Sequence, residues 1–224
     1  MPDRAELRDA ATLIAIRDPA GRPQVLMGQR GANAAFMPSR FVFPGGAVDP
    51  EDCDIAAAGE LNRLDAERLE RDQIVARPAR AFGVAAIREL WEETGLRLGR
   101  PARGGGDLPA SWRRFGAGRI MPDLAPLHFV FRAITPPGRP RRFDARFFVM
   151  DASAIHGDPD DFSDATDELS HLEWIGLDRV GDYELPFVTQ VVLAEVAEML
   201  PSVASPGMVP FFDNRGAAGR LIRL

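Results

Sequence analysis

The sequence predicts one mixed α–β domain, α/β or α+β, built on a mixed sheet. Three observations predict it. The chain has 224 residues, the length of one large domain or of a domain carrying an insertion. Strand-like and helix-like segments alternate irregularly along it, with no internal repeat. Hydrophobic residues make up 46% and charged residues 27%, enough apolar material to bury a core without staples.

The elements follow in order. Ala11–Ile16 and Gln24–Met27 are apolar runs around Asp18-Pro19-Ala20-Gly21-Arg22-Pro23, which reads as a hairpin. A loop from Gly31 to Arg40 leads into Phe41-Val42-Phe43-Pro44-Gly45-Gly46. From about Asp54 to Val75 the composition turns rich in Ala, Leu, Glu and Arg, with leucines at 61, 64 and 69. That spacing predicts an amphipathic helix, ended by Pro78. A second helix should run from Ala79 to Thr94 and stop at Gly95, a good C-terminal capping residue. Arg97–Gly106 reads as a Pro/Gly-rich linker and Asp107–Phe115 as a short helix. Leu127–Ile134 and Phe143–Met150 are strand-like. Gly157–Thr166 is an acidic loop, Leu172–Leu177 a short strand, and Leu185–Leu200 a helix apolar all round.

Composition excludes several chemistries. All 27 basic residues are arginine, so a Walker P-loop, a lysine Schiff base and a pyridoxal phosphate site are ruled out. Phosphate would be held by arginine forks or backbone amides. The single cysteine, Cys53, excludes a disulfide framework and multi-cysteine metal centres. No apolar run approaches the ~20 residues of a membrane span, and the charged N-terminus does not read as a signal peptide. A cytoplasmic protein without a membrane partner is the expectation. The net charge is −6, yet residues 97–146 hold eleven arginines against Asp107, Asp123 and Asp144. An acidic protein with a basic segment suits a small anionic ligand better than a nucleic acid.

One segment carries chemistry: Arg88-Glu89-Leu90-Trp91-Glu92-Glu93-Thr94-Gly95-Leu96. On a helix, Glu89, Glu92 and Glu93 are spaced i, i+3 and i+4, so their carboxylates converge on one side. Clustered hard oxygen ligands suit Mg²⁺ or Mn²⁺. A solvated helix face would carry the same letters. Arg88 adjoins the carboxylates and could orient one of them. Other constellations fail: His128, His156 and His171 have no i+4 partner, and Asp158-Pro159-Asp160-Asp161 breaks the calcium-loop frame at Phe162.

The context decides between these readings. With Phe43-Pro44-Gly45-Gly46 upstream, the chain resembles the Nudix hydrolases, whose box reads G-x(5)-E-x(7)-R-E-U-x-E-E-x-G-U. Gly46 fits the first glycine; Arg88, Glu89, Leu90, Glu92, Glu93, Gly95 and Leu96 fit the second half. Two departures stand out. The first glutamate of the box falls on Asp52. A 28-residue insertion, about 53–80, then separates Asp52 from Arg88. Loop closure costs grow slowly with length, so a helical excursion can leave the box intact in space. A split box resembles the branch that includes peroxisomal coenzyme A diphosphatases. Val25-Leu26-Met27, Arg30 and Phe43-Pro44-Gly45-Gly46 also fit the coenzyme A signature L-L-T-x(2)-R-S-x(3)-R-x(3)-G-x(3)-F-P-G-G, while its inner arginine falls on Ala35 and its glycine on Ser39.

The resemblance implies a single Nudix domain over residues 1–224: an α/β/α sandwich with a mixed sheet and a helical insertion inside the box. It implies a diphosphatase (pyrophosphatase) acting on a nucleoside diphosphate linked to another group. The best match is coenzyme A or acyl-coenzyme A, giving 3′,5′-ADP and a phosphopantetheine product. NADH, ADP-ribose or nucleotide sugars are the alternative, as is a module that binds without cleaving. Arg88, Glu89, Glu92 and Glu93 would be catalytic. Gly45 (through its carbonyl), Asp52, Glu89, Glu92, Glu93 and Glu168 would hold Mg²⁺ or Mn²⁺. Arg30, Phe43, Arg142 and Arg146 are candidate substrate contacts. The insertion would pack at the rim of the site or at a subunit interface, leaving a homodimer open, and its removal should be tolerated.

Overall fold

The computed structural model describes residues 6–31, 37–102, 108–216 and 218–224. Position Ala35 and the glycines at 104–106 lie outside them. The chain opens on a hairpin, β1 (Leu7–Arg17) and β2 (Gln24–Arg30), followed by two short strands, β3 (Phe41–Val42) and β4 (Gly45–Ala47). A 3-10 turn at Pro50–Cys53 leads to helix α1 (Arg63–Leu69) and the long helix α2 (Ala79–Thr94). Then come β5 (Arg97–Pro101), β6 (Ile120–Pro122), β7 (His128–Ile134), β8 (Arg142–Asp151) and β9 (Ile155–His156). The chain continues through β10 (Leu169–Gly176) and helix α3 (Phe187–Met199), and ends in β11 (Pro210–Asp213) and β12 (Arg220–Arg223).

The main sheet runs β10-β2-β1-β8-β7-β11-β12, with β3 added to β2 and β4 to β1. The pairs β1–β8 and β11–β7 are parallel and the others antiparallel, so the sheet is mixed. Successive β1 side chains alternate between two cores. Ala11, Leu13 and Ala15 join Phe82, Ala86 and Leu90 of α2 on one face. Ile14 and Ile16 join Val192, Leu193 and Val196 of α3 on the other. The result is the expected α/β/α sandwich. Among the described residues no helix is long and apolar enough to cross a membrane.

Helix α2 begins and ends where the sequence places it. Gly95 closes it with φ 78°, a left-handed conformation that glycine adopts without Cβ strain. Elsewhere tertiary pairing overrides local propensity. The helix predicted over 54–75 shrinks to α1, seven residues capped by the Asn62 side chain. Residues before it are held extended instead: the Ala58 amide donates to the Pro122 carbonyl at 2.7 Å, and Gly59 bridges to Asp123. The linker predicted from Arg97 contains strand β5, because Gly99 lets its backbone pack directly on Ile120 and Met121. Helix α3 buries only one face, and Phe187 at its start is 68% exposed. The strands β11 and β12 carry no signal read above.

The insertion is not a dispensable rim. Ile55, Leu61 and Leu69 lie in the α2-side core. Asp65, fully buried, accepts the Phe129 amide at 3.0 Å and the Ser205 hydroxyl at 2.6 Å. Burial of three such apolar side chains contributes roughly 5–9 kcal/mol, comparable with the whole stability of a domain. Replacing residues 54–78 by a short linker is therefore expected to give insoluble or unfolded protein. A soluble deletion variant with an unchanged urea midpoint would contradict this placement.

Candidate active site

Strand β4 pairs with Ala10, Ala11 and Thr12 of β1, and the Leu13 amide donates to the Pro44 carbonyl at 2.9 Å. This pins Gly45 and Gly46 against the last turns of α2. The Gly45 amide donates to Glu93 Oε2 at 2.8 Å. A Cβ on Gly46 would run into the Glu89 carboxylate, which would have to shift. Gly46→Ala is expected to push Glu89 aside and lower kcat at least tenfold, with the far-UV circular dichroism unchanged. Wild-type kcat in that variant would contradict the assignment of Glu89.

Arg88 organises the cluster. It is buried, and its five N–H groups find five acceptors. Nε and Nη2 grip the two Asp52 oxygens at 3.0 and 3.1 Å. Nη2 also reaches the Ala47 carbonyl at 2.8 Å. Nη1 donates to Glu89 Oε1 at 2.8 Å and to Glu92 Oε2 at 3.0 Å. The shorter stem of Asp52 is accommodated because the 3-10 turn draws it inward, where Oδ2 also accepts the Asp49 amide at 2.8 Å. The insertion thus separates Asp52 from Arg88 in sequence while the fold reunites them.

Glu93 is the most enclosed of the three glutamates. Its side chain is 1% exposed, and its Oε1 has no hydrogen-bond partner among the described residues. The nearest cation is Arg30, whose Nη2 stands 3.7 Å away. Burial, then the Glu89 charge, push the Glu93 carboxyl up to about 8, against the pull of the Gly45 amide and Arg30. Glu89 rises to about 7, chiefly by burial, with Arg88 opposing. Glu92, 43% exposed, is raised for the same first reason.

Glu168 is exposed, and its charge raises the pKa of all three box glutamates. Its loop is fastened to the end of α2. The Thr166 amide donates to the Glu92 carbonyl at 3.1 Å, Gly95 leaves room for the Ala165 backbone, and Arg114 pairs with Asp164 at 2.8 Å. These backbone contributions, with the Gly45 amide and Ala47 carbonyl, carry no side-chain signal. Sequence reasoning missed them for that reason.

Several expectations are corrected. Asp52, expected among the cation ligands, faces Arg88 instead: the Arg88 fork and the Asp49 amide donate to its buried oxygens. Phe43 is packed in the α3-side core rather than turned to a substrate. Arg146 is fully buried, paired with Asp9 at 2.6 Å and Asp144 at 3.3 Å, and lies over the Phe82 ring. It cannot reach a ligand. Arg142 sits at the start of β8, level with Leu7, and donates to the Thr135 carbonyl at 3.1 Å. Gly46 is level with Ala11, further along β1. Of the arginine candidates, only Arg30 stands beside the carboxylates.

The side chains are of the hard-oxygen kind that a divalent cation takes. Glu93 presents a buried oxygen that accepts no hydrogen bond among the described residues, and three glutamates with Glu168 and Asp52 concentrate negative charge that Arg88 and Arg30 do not balance. Among the described residues they do not already close into a cage. Arg88 holds them as neighbours instead.

No protein-family model matches the chain. Nudix hydrolase 7 of Caenorhabditis elegans is 30% identical over 181 residues, covering 75% of this chain and 51% of its own. The acyl-coenzyme A diphosphatase NUDT19 of Gallus gallus is 27% identical over 205 residues, covering 67% and 53%. The chain thus spans about half the length of these relatives. Among solved structures, a Nudix hydrolase from Alicyclobacillus acidocaldarius superposes with a TM-score of 0.59 at 28% identity, covering 89% of this chain and 99% of that one. A second, from Nitrosomonas europaea, shares the fold at 11% identity and a TM-score of 0.51, covering 90% and 94%. With the split box reassembled around Arg88 and these likenesses beside it, the chain belongs to the Nudix hydrolase family and resembles its coenzyme A diphosphatases.

Proposed function

We propose that the chain is a metal-dependent diphosphatase acting on a nucleoside diphosphate linked to a second group, best coenzyme A or an acyl form of it. The observation that carries this reading is Glu93 Oε1, buried beside Glu89 and Glu92, which accepts no hydrogen bond among the described residues and has the Arg30 guanidinium 3.7 Å away. A buried carboxylate oxygen that accepts no hydrogen bond is costly unless a cation completes it. Glu89, Glu92, Glu93 and the Gly45 carbonyl would hold Mg²⁺ or Mn²⁺, with Glu168 at the open side. When bound, such an ion supplies Lewis acidity, shielding the diphosphate and making bound water acidic.

The chain's own residues do the rest. Arg88 fixes the carboxylates of Glu89 and Glu92, so little reorganisation remains when charge builds on the phosphoryl oxygens. Arg30, close to Glu93 and partly exposed, offers a guanidinium fork to a diphosphate oxygen. Glu89 and Glu93 are the candidate proton acceptors for the attacking water. The substrate reading draws on the partial coenzyme A signature around Arg30 and on the named relative.

A panel of diphosphates with and without Mg²⁺ tests the proposal. Coenzyme A should yield 3′,5′-ADP and 4′-phosphopantetheine only with metal. Turnover of ADP-ribose or NADH with a kcat/KM tenfold higher, about 1.4 kcal/mol of preference, would overturn the substrate class.

A further inference from the structure

Arg114 belongs to the arginine-rich stretch 97–146 and to no motif, yet its neighbours are fixed from below. Trp112 and Phe115 are fully buried. Both pack on Trp91, the residue between Leu90 and Glu92 in α2, with ring centroids 6.4 and 5.7 Å away. Arg97 Nη1, from β5, donates to the Phe115 and Ala117 carbonyls at 3.3 and 3.0 Å. The backbone around Arg114 is thereby pinned to the helix that carries the glutamates.

From this platform the Arg114 side chain reaches a separate part of the chain. Its Nη2 donates to Asp164 Oδ1 at 2.8 Å, in the loop that leads to Glu168. That loop is anchored at its start by Phe162, packed against the α2-side core, and by Trp174 Nε1, which donates to the Pro159 carbonyl at 3.2 Å. Nearer Glu168 the hold is thin. The Thr166 amide donates to the Glu92 carbonyl at 3.1 Å, and Asp164 packs against Gly95. Among the described residues, Arg114 makes the one side-chain hydrogen bond to the stretch from Asp164 to Glu168.

Both ends of this ion pair are exposed, so it adds little to global stability. What it fixes is geometry. Glu168 is close enough for its charge to act on all three box glutamates. A shift of about 1 Å in such a group can cost about a hundredfold in rate. Resting on the function proposed above, we infer that Arg114 is a positioning residue: by holding Asp164 it keeps Glu168 at the open side of the glutamate cluster. It acts through Glu168 and makes no contact with substrate.

Hydrogen exchange, Mn²⁺ binding and kinetics of R114A, R114K, E168Q and R114A/E168Q test this. In R114A, deuterium uptake across Thr166–Glu168 should quicken about tenfold while α3 exchanges as in wild type. The melting temperature should stay within about 2 °C of wild type. With Mg²⁺, kcat for coenzyme A should fall about tenfold at unchanged KM, and R114K should restore about half of it or more. In E168Q, which already lacks the carboxylate, adding R114A should cost less than about twofold more. Unchanged uptake in R114A, or a loss of kcat that multiplies with that of E168Q, overturns the inference while leaving the diphosphatase reading intact. Wild-type protein that cleaves no diphosphate sinks that reading instead, and Mn²⁺ affinity then decides. Lowered alike by R114A and E168Q, it sustains the role of Arg114; normal in R114A, it overturns that role.

Discussion

Glu93→Gln is expected to lower kcat by about a thousandfold, near 4 kcal/mol of transition-state stabilisation, while the fold survives. The amide is isosteric, and its carbonyl oxygen can still accept the Gly45 amide. What disappears is the charge on the enclosed oxygen. Stability makes the test two-sided. The Glu93 carboxyl sits at about 8 and Glu89 at about 7, both above an unfolded carboxylate. Between about pH 4.5 and 8 the folded, metal-free protein therefore holds protons that the unfolded chain has released. Its stability should fall as pH rises through that window. In EDTA at pH 8, E93Q should melt at a higher temperature than wild type, and near pH 4.5 the two should converge. Added Mg²⁺ should then raise the wild-type melting temperature and leave the variant's almost unmoved, since only binding to the folded state shifts the equilibrium. A variant that melts lower in EDTA at pH 8 and keeps its activity would make Glu93 a structural residue.

Arg88→Met should abolish measurable activity and cost about 3–5 kcal/mol of stability. The loss of stability comes mainly from Asp52, left buried with its carboxylate unpaired. Arg88→Lys should rescue little, because one ammonium cannot serve five acceptors in the plane of a guanidinium fork. The double variant R88M/D52L separates the two roles. Removing both partners of a buried pair is far milder than removing one, so urea denaturation should show at least half of the lost stability restored. Activity should stay absent, since Glu89 and Glu92 still lack the group that holds them. Recovered activity in the double variant would mean that Arg88 matters to the fold alone.

The site was legible to the extent that it is local. Arg88, Glu89, Glu92 and Glu93 lie within two turns of one helix, and Gly95 marks its end, so spacing alone brings the carboxylates together. The β1–β2 hairpin and the strands β7 and β8 were legible for the same reason. What failed depends on distant partners. Arg146 looked like a strand-borne phosphate contact, yet Asp9, 137 residues away in sequence, and Phe82 enclose it. Asp52 looked like a ligand because it falls on the first glutamate of the box; its grip by Arg88, 36 residues away, is not visible in the sequence. Phe43, next to the Pro-Gly-Gly turn, points into the α3-side core, a choice of face that a two-residue strand does not encode. The stretch 54–61 has helical composition, but Ala58 and Gly59 make their backbone hydrogen bonds with Pro122 and Leu124. Leu64 shows the consequence: it keeps the helical spacing and is exposed, whereas Leu61 and Leu69 enter the core.

The central claim is that the enclosed face of Glu89, Glu92 and Glu93 is a divalent-cation site. Titration of the wild-type protein and of E93Q with Mn²⁺ at pH 7.5, followed by electron paramagnetic resonance of the free ion, tests it most directly. Saturable binding to wild type, weakened at least a hundredfold in E93Q, is the predicted result; equal binding by the two proteins, or none by either, would contradict it.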